Sequence, residues 1–233
     1  MSLFQVDISR ILFVYILGLT VVFISAILIY KTLKKGRDKP HLMICGFFLS
    51  FSISISLNAI YAPIFLADIR NVLYRINVFF LFFGLFFALL FTLYLYKENE
   101  IKNLYLLIPS ILYATILILL LYHPESINIS LSTNWNPIWN LSIMISIIFI
   151  SLGLCFIPTI TLSIIIYRRF RIKVLKKKLK YFIIGIVGAH ITLYGAIIAY
   201  STNNSTIIII FSFTSMINIV WTLFIYYGMT SNL

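Results

Sequence analysis

His190 is the one ionisable side chain at the middle of an apolar run, the tenth residue of the stretch 181–200. A charged imidazolium is costly at the centre of a bilayer, so the ring is expected to be neutral and hydrogen-bonded. Tyr194 follows it by one helical turn. Asn218 lies near the middle of the last apolar run, and Trp221 comes a turn later. Ser54, Asn58 and Asn77 sit in earlier runs. Side chains of these types can line a polar pocket for a small ligand, an ion or a proton. The competing expectation is that they bond helix to helix and hold a bundle together. Carboxylate chemistry has no place in this chain. The six acidic residues, Asp7, Asp38, Asp68, Glu98, Glu100 and Glu125, all fall in tails, connections or run ends, which argues against proton-coupled transport and buried-carboxylate catalysis. No nucleophile–base pair and no CxxC or His/Cys cluster is present, so neither an enzyme nor a metal or other cofactor is expected. Cys45 and Cys155 lie inside apolar runs and read as small buried hydrophobes. The last lysine is Lys180, so a retinal Schiff base in the final run is excluded.

The elements that must position these residues follow from composition. The chain has 233 residues, of which 62% are hydrophobic and 10% charged, with a mean hydropathy of +1.07. A soluble domain is about half apolar and a quarter charged. A water-soluble globule, a disordered chain, a fibre and a disulfide-stapled secreted domain are all excluded. Seven apolar runs are present, at about 9–31, 41–66, 73–96, 102–122, 137–167, 181–200 and 206–228. Each is long enough for a spanning helix of roughly 20 residues. The expectation is an all-α polytopic membrane protein of the cell membrane, one seven-helix domain over 1–233. The N-terminal MSLFQVDISR lacks a cationic start and a cleavage site, so the first run reads as a retained span. A β-barrel needs alternation in short segments, and only Leu49–Asn58 alternates. Fifteen basic residues follow runs 1, 3 and 5, whereas Arg10, Arg70 and Arg75 fall on the other side. The positive-inside rule then places the N-terminus outside and the C-terminus in the cytoplasm.

Four features refine that layout. Ser50, Ser54 and Asn58 form one helical row in run 2, and Ser52 and Ser56 form another. Two polar stripes demand neighbours on both sides, so run 2 is expected at the centre of the bundle. Run 5 is longer than the hydrocarbon core requires, and Pro158 predicts a kink near 154–158. Run 6 carries small residues at a spacing of three to four, namely Gly185, Gly188, Ala189, Thr192, Gly195 and Ala199. This is a close-packing face, and His190 lies roughly 160° from it. Arg168, Arg169, Arg171, Lys173, Lys176, Lys177, Lys178 and Lys180 crowd into the segment 168–180. They are expected to meet anionic headgroups, at about 1 kcal/mol per charge, or to dock a cytoplasmic partner. Nucleic acid is not an expected partner, because topology alone accounts for the net charge of +12 and no aromatic-interleaved platform exists. The connection 123–137, with Trp135 and Pro137, reads as a cap, and Trp139 as an interfacial anchor.

The segment Arg168–Lys180 running into Tyr181-Phe182-Ile183-Ile184-Gly185, the aromatic exit Phe224-Ile225-Tyr226-Tyr227-Gly228-Met229, and the stretch Leu73 to Pro109 resemble the N-terminal seven-helix sensor module of membrane histidine kinases. That resemblance implies a sensor bundle. The 233 residues depart from the family pattern, carrying no kinase, dimerisation or PAS segment and no phosphoacceptor histidine motif, so the resemblance implies a stand-alone or truncated sensor bundle. The signal would then pass to a separate cytoplasmic protein. The marks of G-protein-coupled receptors are absent, since run 3 ends Tyr94-Leu95-Tyr96-Lys97 and run 7 reads Asn218-Ile219-Val220-Trp221-Thr222. The expected function is a receptor-like bundle binding a small or lipophilic ligand between helices. A small-solute transporter or channel, and an assembly protein with no ligand, are the alternatives.

Overall fold

The computed structural model describes residues 14–16, 18–64, 66–97, 103–133, 135–202, 206–207, 210–211 and 217–229. Helix dominates these residues. In chain order the helices are α1 (Gly18–Lys35), α2 (Lys39–Tyr61), α3 (Ala67–Tyr96), α4 (Asn103–Leu121), α5 (Leu141–Ser151), α6 (Ile157–Arg169), α7 (Lys173–Ser201) and α8 (Asn218–Met229). A π-turn, Leu152–Phe156, joins α5 to α6 without a break in the chain of helix. The only sheet among the described residues pairs β1 (Ile127–Asn128) with β2 (Ile138–Trp139), antiparallel.

Local sequence explains the ends. Asp38 and Pro40 open α2, the proline in its first turn where the missing N–H costs nothing. The Asn140 side chain accepts from the Ser142 amide and caps α5. Five helical segments are long and apolar enough to cross a membrane: Val14–Lys35, α2, α3, the continuous Leu141–Arg169 and α7. The apolar part of α4 is shorter, Leu106–Leu121, and α8 has 12 described residues. The protein is therefore an all-α protein with membrane-spanning helices.

Residue pairs fix the register. Between α2 and α3, Tyr61 meets Tyr74, Ser54 meets Asn77, and the Cβ position of Gly46 meets Phe87. The numbers in each pair sum to nearly the same value, which defines an antiparallel hairpin. The same holds between α7 and α8, where Gly185 faces Ile225, Gly188 faces Trp221 and Thr192 bonds Asn218. Arg169 reaches Tyr96, and Lys178 lies over Tyr227. The end of α3, the end of α6, the start of α7 and the end of α8 thus share one face of the bundle, and the basic residues gather there.

The structure corrects several expectations. The central helix is α3 rather than run 2. It packs on α2, α4, α6, the π-turn and β1, whereas α2 lies mainly between α1 and α3. The phenylalanine density of α3 explains this, because Phe82, Phe86 and Phe91 are all fully or nearly fully buried. Run 5 begins at Leu141, not 137, because Pro137 to Asn140 belong to the hairpin. The irregularity expected at 154–158 is the π-turn just before Pro158. The segment 168–180 is no loop. Arg168 and Arg169 finish α6, Lys173–Lys180 start α7, and only residues 170–172 connect them. Trp139 is no lipid anchor, being buried in β2 with its indole N–H donating to the Tyr74 hydroxyl at 3.3 Å.

Candidate functional site

The polar residues singled out in the sequence fall into three separate groups. The first lies between α2 and α3. Ser54 donates to the Asn77 side-chain oxygen, and the Asn77 amide donates to the Tyr61 hydroxyl at 3.2 Å. Ser54 and Asn77 are buried, and their bonds run between helices. Asn58, a turn beyond Ser54, is half-buried and makes no side-chain hydrogen bond among the described residues.

The second group lies between α7 and α8. Thr192 donates to the Asn218 side-chain oxygen at 2.7 Å. A methyl group placed on Gly188 would sit 2.3 Å from the Trp221 ring, and one on Gly185 would sit 2.7 Å from Ile225. One on Gly195 would sit 2.1 Å from Phe211. Gly185 and Gly188 thus seat α8, Gly195 meets Phe211 ahead of it, and Ala189 and Ala199 are buried along α7. Asn218 and Trp221 belong to this packing face and not to a pocket with His190.

The third group is the chemically distinctive one. His190 is 3% exposed and packs on Phe156 of the π-turn, the ring centroids 4.6 Å apart. Its Nδ1 lies 2.8 Å from the Ile186 carbonyl, one turn back on the same helix. A carbonyl only accepts, so Nδ1 carries the proton. In the neutral ring Nε2 is then an acceptor, and it has no hydrogen-bond partner among the described residues. Tyr194, a turn further, donates to the Ser151 hydroxyl at 2.9 Å. Tyr113 of α4 brings its hydroxyl close to Ser151 and Cys155 without a bond of normal geometry. Tyr113, Ser151 and Cys155 are fully or almost fully buried. A π-turn holds one residue more than an α-turn, and such turns recur at functional sites. Here the extra residue turns the Ser151–Cys155 edge toward α7 and α4, since each added residue rotates a helix by about 100°. Sequence reasoning missed Tyr113, Ser151, Cys155 and Phe156 as members of a site. The signal available was the Ser151–Cys155 spacing of one turn, just ahead of Pro158.

A hairpin covers one end of the bundle. Arg70 of α3 is 4% exposed and donates to the carbonyls of Ala62, Ile64 and Trp135 at 3.4, 3.2 and 3.1 Å. Its guanidinium also lies over the Tyr61 and Trp135 rings. Asn71 donates to the Ile129 carbonyl at 3.2 Å and accepts from the Ile129 amide at 3.1 Å, as a neighbouring strand would. Trp135 holds a left-handed φ of 61°, a strained conformation for a bulky residue. Its amide donates to Ser130, which holds it there. Arg70, read only as a sparse outside charge, and Asn71, not singled out in the sequence, thus clamp the connection that carries Trp135.

Pro158 lies in the first turn of α6. At the other end Arg169 donates to the Tyr96 hydroxyl at 3.3 Å and stacks on its ring at 4.5 Å. Lys176 lies over Tyr167 and Lys178 over Tyr227. Arg168, Arg171, Lys173, Lys177 and Lys180 are exposed. Among the described residues no carboxylate pairs with any of the eight cations, and no three His, Cys, Asp or Glu side chains converge on a metal site. The chain matches no protein-family model, and no curated protein is similar to it.

Proposed function

We propose that this protein is a receptor-like seven-helix bundle of the cell membrane. Its N-terminus lies outside and its C-terminus in the cytoplasm, and it binds a small lipophilic molecule at the third group. The unoccupied acceptor Nε2 of His190, enclosed by Phe156 and close to the irregular turn, carries this reading. A buried polar atom without a partner costs about 1–3 kcal/mol, and a ligand donating one hydrogen bond would recover that cost. The π-turn supports the second half of the proposal. It is the weakest point of the Leu141–Arg169 helix, because Pro158 withholds an amide from the Leu154 carbonyl. Occupancy at Phe156 and His190 would bias the angle of α6 and so the position of the basic elbow. A separate cytoplasmic protein would read that position. The orientation rests on the gathering of the basic connections at one end.

The test uses the purified protein and its thermal unfolding in detergent across a panel of small lipophilic hydrogen-bond donors. A molecule that raises the wild-type midpoint should lose its effect in His190→Leu and keep it in Asn218→Leu. Both substitutions remove a polar side chain that is hydrogen-bonded in the structure, but only the first removes the proposed acceptor. Equal ligand shifts in the two variants would reduce the third group to packing.

A further inference from the structure

The cytoplasmic elbow between α6 and α7 combines three properties on one surface. Around the first two turns of α7, Lys173, Lys176, Lys177 and Lys180 fall within an arc of about 100°, opposite the inward-facing Leu175, Leu179 and Phe182. Arg168 and Arg171 extend this surface toward α6. The cations have no carboxylate partner among the described residues. Several are held in place instead by rings from other helices, Arg169 by Tyr96 of α3 and Lys178 by Tyr227 of α8. The surface is therefore fixed to the bundle rather than hung on a loose connection. Apolar side chains continue the same helix face inward, with Ile184 38% and Ile191 63% exposed within about 30° of the centre of the lysine arc.

We propose that this elbow is a binding site for an anionic phospholipid, with the lysine arc on the headgroup phosphate and Ile184 and Ile191 along the acyl chains. An acidic soluble protein would satisfy the charge. It would leave unexplained why exposed isoleucines continue the lysine face into the apolar part of the same helix. A lipid satisfies both, since helices with a cationic face and aliphatic side chains beside it lie at the headgroup boundary. The proposal is independent of the His190 reading.

The experiment measures binding of dioleoylphosphatidylglycerol to the purified full chain in detergent micelles, by native mass spectrometry and by the rise in unfolding midpoint, with dioleoylphosphatidylcholine alongside. The wild type should retain the anionic lipid at least about tenfold more tightly than the zwitterionic one. Replacing Lys173, Lys176, Lys177 and Lys180 by Gln should remove most of that preference. Replacing Lys31 and Lys34 by Gln, at the end of α1, should leave it nearly intact. The double variant Ile184→Ala, Ile191→Ala keeps every charge and should still weaken phosphatidylglycerol by several-fold. Equal losses from the α1 and α7 lysines would mean diffuse attraction and overturn a defined site. Binding of soluble polyglutamate as tight as that of the lipid, with no effect of the Ala pair, would assign the surface to an acidic protein and overturn the proposal as well.

Discussion

Gly188 and Gly153 make opposite demands on a methyl group. A Cβ on Gly188 would strike the Trp221 ring at 2.3 Å, whereas one on Gly153 meets nothing within 4 Å. Gly188→Ala must push α8 outward, and overpacking of this kind costs about 1–3 kcal/mol. Gly153→Ala fills lipid-facing space and gains helix propensity, so it should be neutral or stabilising by up to about 1 kcal/mol. Thermal unfolding in one detergent should therefore show a lower midpoint for Gly188→Ala and an unchanged or higher one for Gly153→Ala. Adding Trp221→Leu to Gly188→Ala should recover part of the loss. A Gly188→Ala protein as stable as the wild type would mean that α7 and α8 do not meet as closely as described. The small face of α7 was legible in the sequence because a spacing of three to four is a one-helix property. Its partner was not, because nothing within Trp221 itself says which glycine it covers. The same limit applies to His190. Its place at mid-run was plain, but Phe156 beside it and Ser151 beside Tyr194 come from another helical segment, and only tertiary packing brings them together.

Helices were legible as elements wherever apolar length set them, and less so where charge or irregular backbone did. Lys173–Lys180 reads as a cytoplasmic loop by polarity, yet lysine is a good helix former and the helix simply extends past the apolar run. The hairpin 127–139 has strands of two residues, too short for alternation to show. It is held instead from α3, by Arg70 and Asn71. That dependence yields a prediction for the element. Asn71→Ala removes both bonds to Ile129, each worth about 0.5–1.5 kcal/mol. Amide exchange across Ser126–Trp139 should accelerate by roughly tenfold or more, while exchange in α2 and the core of α3 stays within a few-fold of the wild type. Uniform acceleration through the bundle would show that Asn71 supports the helices and not the cap. Arg70→Lys is the sharper version. One ammonium cannot reproduce a fork that reaches three carbonyls and stacks on two rings, so the variant should loosen the cap although it keeps the charge.

At the scale of the whole molecule, register and charge describe one arrangement. Antiparallel pairing of α2 with α3 and of α7 with α8, together with the contacts of Arg169 on Tyr96 and Lys178 on Tyr227, gathers the basic connections at one end and the aromatic cap at the other. Retention of basic segments in the cytoplasm would then orient the bundle as a unit. Single cysteines test this in intact cells, because Cys45 and Cys155 are both buried and unpaired and should stay silent. Glu125 lies beside the cap and Arg171 in the elbow, and both are exposed. Glu125→Cys should react with a membrane-impermeant maleimide added outside, and Arg171→Cys should react only after permeabilisation. Lys35→Cys, at the end of α1, should behave like Arg171→Cys, because odd-numbered connections share a side in a chain that crosses at every helix. Labelling of Glu125→Cys and Arg171→Cys from the same side would contradict a crossing by the Leu141–Arg169 segment, the helix that separates them. Reversed labelling of all three positions would keep the serpentine path and refute its orientation. The basic elbow, and any partner that reads it, would then face the outside.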